Sequence, residues 1–168
     1  MVNTTKLTQT QQKELNDKLI AAAKDGDIRN ALKLIENGAD VDAKSNFDVT
    51  ALHDAAWRGH VDVAKVLIEN RADVDAKNKN GETALHWAAW VGYVDVAKVL
   101  IENGVHVNVT DKNNKTAEEI ALRCGYHQIA ELIDDSIKHR KTLDILNIDM
   151  NELVRMADEN AKNLCRKD

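Results

Sequence analysis

The feature that most limits what this chain can fold into is a repeat with a fixed step. Thr50-Ala51-Leu52-His53 returns as Thr83-Ala84-Leu85-His86, and 83 − 50 = 33. Thr116-Ala117 follows one step later, and Gly26, Gly59, Gly92 and Gly125 keep the same interval. The letters VDVAKVLIEN run from Val61 to Asn70 and again from Val94 to Asn103. A period of this length is the mark of a solenoid, in which each unit is too small to bury its own apolar face and must stack on its neighbours.

Within one period the pattern is helical. Leu52, Ala55 and Ala56 fall at i, i+3 and i+4, one face of a short helix. Small Ala side chains on that face allow a second helix to pack close, and Val63, Ala64, Val66 and Leu67 form the apolar stripe of that second helix. Thr50 is placed to cap the first helix, and Gly59 to end it in a left-handed conformation. The following turn needs a residue that tolerates positive φ, and the aligned letters are Asp48, Gly81 and Asn114, the types that visit that region. No strand of ordinary length is expected.

A 33-residue step carrying T-x-L-H, Ala-Ala, Gly and an apolar run that ends in Gly-Ala-Asp-Val resembles the ankyrin repeat. The resemblance covers about residues 15–141 and implies an all-α solenoid of about four helix-turn-helix repeats with β-turn loops: 15–47, 48–80, 81–113 and 114–141. Residues 1–14 read as a polar segment and the start of a capping helix, and 142–168 as a helical cap or tail. Two departures stand out. Ala51, Ala84 and Ala117 occupy a position where the family usually has Pro, and Glu118-Glu119 replaces Leu-His in the last repeat, as befits an end unit. The first repeat sets Lys13, Glu14, Asp17, Lys18, Lys24 and Asp25 around Leu15, Leu19, Ala22 and Ala23, again as an end requires. The last repeat's second helix is expected from Tyr126 to Arg140, and a further helix over about Asn151 to Cys165.

The resemblance also implies that first helices and turn tips line a concave groove that holds a partner protein. Carried over position by position, the first helices present Asp54, Trp57 and Arg58, then Trp87, Trp90 and Val91, then Ile120, Arg123 and Cys124. The tips add Asn46, Phe47 and Val49, then Lys79, Asn80 and Glu82, then Lys112, Asn113 and Lys115. All three tryptophans lie on this one side, and with Phe47 they are expected to form an aromatic cluster. Two readings stay open. An exposed aromatic patch marks an interaction surface. Alternatively Trp57 and Trp90, one repeat apart, stack in an internal ladder that Arg123 continues as a cation over a ring face. The two central repeats differ at several of these positions: Val49 against Glu82, Asp54 against Trp87, Arg58 against Val91.

Composition narrows the function classes. Hydrophobic residues make up 43% but aromatics only 4%, so the core must be built from Ala, Val, Leu and Ile. A net charge of -5 weighs against nucleic acid and anionic membranes as partners, because both select basic faces. Residues 1–6 lack the apolar run of a secretory signal, and no stretch approaches the length that spans a bilayer. Cys124 and Cys165 have neither disulfide nor metal spacing, and a reducing, cytoplasmic setting is the simplest expectation. Richness in Asn, Lys and Ile is typical of AT-rich genomes, which leaves a host-directed effector of an intracellular organism, secreted into the host cell, as an alternative role. Self-assembly through residues 142–168 is another, although a monomer is the primary expectation.

Enzymatic chemistry is not expected, nor is a cofactor or metal. His53 and His86 belong to the T-x-L-H turn, where the resemblance implies that the imidazole binds backbone and ties neighbouring repeats. Cys124 and His127 are the one nucleophile–base pairing, and no third group or oxyanion donor accompanies them. Asp62, Lys65 and Glu69, repeated as Asp95, Lys98 and Glu102, form the charge pairs of a solvated helix face. No Gly-rich phosphate loop follows a strand.

Overall fold

The computed structural model describes residues 7–142, 144 and 145. They form two compact units that divide between Ile133 and Asp134. The helix expected over Asn151 to Cys165 lies outside the described residues.

The first unit is a row of helix pairs: α1 (Gln9–Asp25) with α2 (Ile28–Glu36), α3 (Ala51–Arg58) with α4 (Val61–Glu69), α5 (Ala84–Val91) with α6 (Val94–Glu102), then α7 (Ala117–Cys124) followed by helical residues 127–133. First helices pack on first helices in the order α1, α3, α5, α7, and second helices on second helices in the order α2, α4, α6. The core runs between these two rows as a column of copies: Leu19, Leu52 and Leu85 from the first helices, and Leu34, Leu67 and Leu100 from the second, all buried. Ala pairs repeat beside them (Ala22-Ala23, Ala55-Ala56, Ala88-Ala89), which is how a chain so poor in aromatics closes its interior. Ile129 and Ile133 are buried in the same unit. In the second unit residues 134–142, 144 and 145 are helical, with Lys138 paired to Asp134 at 2.6 Å. Among the described residues no helix is long and apolar enough to cross a membrane.

The first helix of each pair ends on a glycine with positive φ, and at Gly59 (φ 72°) the reason is double. An L side chain would be strained in that conformation, and its Cβ would stand 2.6 Å from the ring of Tyr93 in the next repeat. Tyr126 lies against Gly92 in the same way, and His60 against Gly26, so one ring per repeat covers the helix end before it.

The turns repeat with equal fidelity. Ser45 N–H donates to the Val49 carbonyl, Asn78 N–H to the Glu82 carbonyl and Asp111 N–H to the Lys115 carbonyl, at 2.9–3.0 Å. Inside each turn a side-chain oxygen of that first residue accepts two backbone N–H groups: Ser45 Oγ from Phe47 and Val49, Asn78 Oδ1 from Asn80 and Glu82, Asp111 Oδ1 from Asn113 and Lys115. As expected, Asp48 (φ 59°), Gly81 (φ 77°) and Asn114 (φ 57°) hold the left-handed position. Neighbouring turns are stapled edge to edge, Lys79 N–H to the Phe47 carbonyl at 3.0 Å and Lys112 N–H to the Asn80 carbonyl at 2.9 Å.

Candidate functional site: the tryptophan face

The residues that hold the turns in place also set the floor of the candidate site. His53 Nδ1 lies 3.3 Å from the Thr50 backbone N and 2.9 Å from its hydroxyl, while Nε2 lies 3.0 Å from the Glu82 carbonyl one repeat on. His86 repeats this with Thr83 and the Lys115 carbonyl. A carbonyl can only accept, so Nε2 carries the proton, and Nδ1 accepts from threonine: each ring is neutral. Burial pushes both imidazoles below their ordinary value, more than the neighbouring carbonyls and carboxylates push them up. These histidines tie repeats together, as the resemblance implied.

Above this floor stand the indoles. Trp57 remains 46% exposed and Trp90 39% exposed, whereas Trp87 is half-buried. Trp87 meets Trp57 edge-to-face, with ring centroids 5.7 Å apart at 72°, and meets the His53 ring at 5.3 Å. The ring on which Trp57 packs is therefore Trp87, not Trp90 as a one-repeat ladder would have it. Trp87 lies in the next repeat at a register that brings the two rings together. Its N–H donates to Glu82 Oε2 at 3.0 Å, and Asn78 Nδ2 donates to the same oxygen at 2.7 Å. Arg123 does lie over the face of Trp90, 5.8 Å from the ring centroid. Trp57 thus packs on Trp87, and Trp57 and Trp90 still leave a large share of their surface in solvent.

The cleft between these rings has a volume of about 560 Å³ and is lined by Lys24, Asp54, Trp57, Arg58, Glu82, Trp87 and Trp90. Asp54 is half-buried; its burial pushes the carboxyl up, and the charges of Lys24 and Arg58 pull it back. Val91 lies in an adjoining cleft with Trp57, Arg58 and Tyr93. Lys115 is half-buried, with its ammonium 3.3 Å from Glu119 and its carbonyl against His86. Val49 is half-buried in its own turn.

Two expected members are placed elsewhere. Phe47 is 72% exposed at a turn tip and does not line the cleft, so the cluster is three indoles and no phenyl ring. Ile120, expected on the open side, is buried at 2% exposure, because its helix packs on α5 and an aliphatic chain there is covered. Lys24 was read only as part of a polar end, yet it lines the cleft. The signal was in the period, since 57 − 24 = 33 puts Lys24 in the Trp57 register. Among the described residues no group of three His, Cys, Asp or Glu side chains could hold a metal ion.

Stacked helix pairs, stapled turns and one open face define a repeat solenoid of the kind that works by contact. The family description "Ankyrin repeats (3 copies)" matches residues 19–111, and "Ankyrin repeats (many copies)" matches residues 92–133. The chain belongs to the ankyrin-repeat family, whose repeats serve as protein–protein interaction modules and are typically without catalytic activity. It is 39% identical over 57 residues to an ankyrin repeat protein of Rickettsia felis, a match covering 34% of this chain and 90% of that protein. A second protein of that organism is 41% identical over 54 residues, 32% of this chain and 82% of its own length. Acyl-CoA-binding domain-containing protein 1 of Arabidopsis thaliana is 46% identical over 48 residues, 29% of this chain; the match spans only 14% of that protein.

Proposed function

We propose that this chain is a non-catalytic adaptor that grips a partner protein across its tryptophan face. The observation that carries the reading is the exposure of Trp57 and Trp90 in the cleft that they line together with a half-buried Trp87. Indoles are costly to leave in water, and a partner side chain entering between them would bury apolar area against rigid rings with little loss of side-chain entropy. The cleft is shallow and shared among three repeats, which suits a protein surface or peptide better than a small molecule.

The test is a Trp57→Ala/Trp90→Ala double variant. Helical circular dichroism should stay near wild type and thermal unfolding should fall only modestly, because both rings lie at the surface outside the aliphatic core, while capture of the partner from lysate should be lost. Collapse of the fold would instead assign the indoles to an internal ladder.

A further inference from the structure

Charge is unevenly spread over this acidic chain, and the pattern at the tryptophan face says what should dock there. The chain carries a net charge of -5, and the exposed sides of α4 and α6 each set two acids against one lysine: Asp62 and Glu69 with Lys65, Asp95 and Glu102 with Lys98. The turn tips are different. Lys44 and Lys77 occupy one register (77 − 44 = 33), and Lys79 and Lys112 another (112 − 79 = 33). All four are exposed, and among the described residues none makes an ion pair. Because neighbouring turns are bonded edge to edge through the Lys79 and Lys112 N–H groups, these two lysines step from one turn tip to the next.

Carboxylates occur on this side as well, but most are already committed. Glu82 accepts from the Trp87 indole and from Asn78. Asp111 is buried and accepts the N–H groups of Asn113 and Lys115. Asp54 lies between Lys24 and Arg58, and its burial raises its carboxyl. Bonds from neutral donors leave those charges in place, so the cleft lining is balanced, Lys24 and Arg58 against Asp54 and Glu82, and the exposed cations free of ion pairs are the lysines of the tips. The turn that carries Lys79 also carries Glu82, whose side chain reaches Trp87, so the Lys79–Lys112 tips adjoin the indole cleft at Glu82.

We infer that the tryptophan face takes an extended acidic segment of a partner protein, with an apolar side chain set against Trp57 and Trp90 and its carboxylates along the Lys79–Lys112 row. This rests on the adaptor reading above. Packed helices stand about 8–10 Å apart. An extended chain covers roughly that distance in three residues, and in the polyproline II form those residues share a side. Acidic residues three apart therefore fit the row. A single-stranded nucleic acid would also offer negative charge and rings to stack. The net charge of -5 disfavours it, because a phosphate backbone selects a basic molecule.

The experiment is selection of a phage-displayed random dodecapeptide library on the full chain at low salt. Fluorescence anisotropy of the most enriched peptide follows, with wild type, Trp57→Ala/Trp90→Ala and Lys79→Glu/Lys112→Glu. The expected outcome is enrichment of Asp and Glu around a large apolar residue. Binding should weaken with added salt and fall about tenfold or more in the lysine variant at unchanged circular dichroism. A version of the peptide with lysine for each acid should recover binding to the lysine variant. Enriched peptides that need the tryptophans but are neutral or basic overturn the acidic assignment and leave the adaptor reading standing. Peptides indifferent to the tryptophans, or no enrichment at all, overturn both. Tighter binding of oligo(dT) than of the selected peptide overturns the inference in favour of nucleic acid.

Discussion

The repeats at 48–80 and 81–113 are copied along their second helices and differ at chosen positions on the open side. Helices α4 and α6 are the same nine letters, VDVAKVLIE, and Val63, Ala64 and Leu67 are as deeply buried as Val96, Ala97 and Leu100. Close packing on both neighbours leaves such positions no latitude, since one methylene more or less is felt. On the open side Val49 faces Glu82 in the alignment, Asp54 faces Trp87 and Arg58 faces Val91. These changes are not independent. Trp87 brings an indole N–H into a half-buried position, and Glu82 supplies its acceptor at 3.0 Å. The repeat without that tryptophan has no glutamate at the corresponding place. Variation on the tryptophan face thus comes in chemically matched pairs, whereas the back is copied.

The strongest way to strain this comparison is through what the two repeats share. His53→Ala and His86→Ala should each cost about 2–3 kcal/mol, because each orphans a threonine at the helix start and a carbonyl of the next repeat. Equal losses by urea unfolding support equivalence of the two repeats; a much smaller loss at one breaks it. The same rings set a pH dependence. Their folded pKa values lie below the ordinary 6.5, so below that value the unfolded chain binds more protons than the folded one. The contribution is complete above about pH 6.5 and is lost as pH falls from there through the lowered folded values. Asp54 has a raised carboxyl and acts with the opposite sign, but nearer the carboxylate range, so the slope should be read between neutrality and mild acidity. The double alanine variant should flatten it.

A smaller effect separates the repeats where they differ. Glu82→Val, which installs the residue found at position 49, should cost about 1–2 kcal/mol by stranding the Trp87 N–H and Asn78 Nδ2. Glu82→Gln keeps a carbonyl acceptor and should recover most of that. The reciprocal Val49→Glu has no indole to serve and should stay within about 0.5 kcal/mol of wild type. Equal losses for Glu82→Val and Glu82→Gln would show that the charge matters and not the hydrogen bond.

What was legible in the sequence follows the same division. Anything fixed by the 33-residue period could be read directly: the helix pairs and the left-handed turn residues at 48, 81 and 114, while the role of the histidines came from the family resemblance. These repeat because one local solution satisfies the same backbone groups each time. The open face was legible only as a set of side chains. Periodicity placed Trp57 and Trp90 in one register and so paired them. The ring that meets Trp57 is Trp87, because contact across the stack depends on the depth and tilt of side chains, and the period carries neither. Ile120 shares the Trp87 register but is short enough to be covered, and Phe47 sits on a tip too far out to join the cleft. The matched acceptors Ser45, Asn78 and Asp111 escaped notice because three different letters perform one task.

An effect smaller than that of Glu82→Val tests whether the back is as well copied as it looks. Gly38, Arg71 and Gly104 occupy one register, each closing the second helix with an N–H bond to the residue three before it, and all three have positive φ. At Arg71 (φ 69°) an L side chain carries a left-handed backbone, which costs about 1–2 kcal/mol. Its replacement by glycine removes that strain but adds roughly 0.5–1 kcal/mol of unfolded-chain entropy. Arg71→Gly should therefore stabilise the protein by about 0.5–1 kcal/mol, and Gly104→Arg should destabilise it by a similar amount, both read from urea midpoints at constant slope. The exposed Arg71 side chain makes no ion pair among the described residues that would offset the strain. A loss of stability on Arg71→Gly would mean that this arginine is held for a contact of its own, and that the back of the stack is less uniform than its letters.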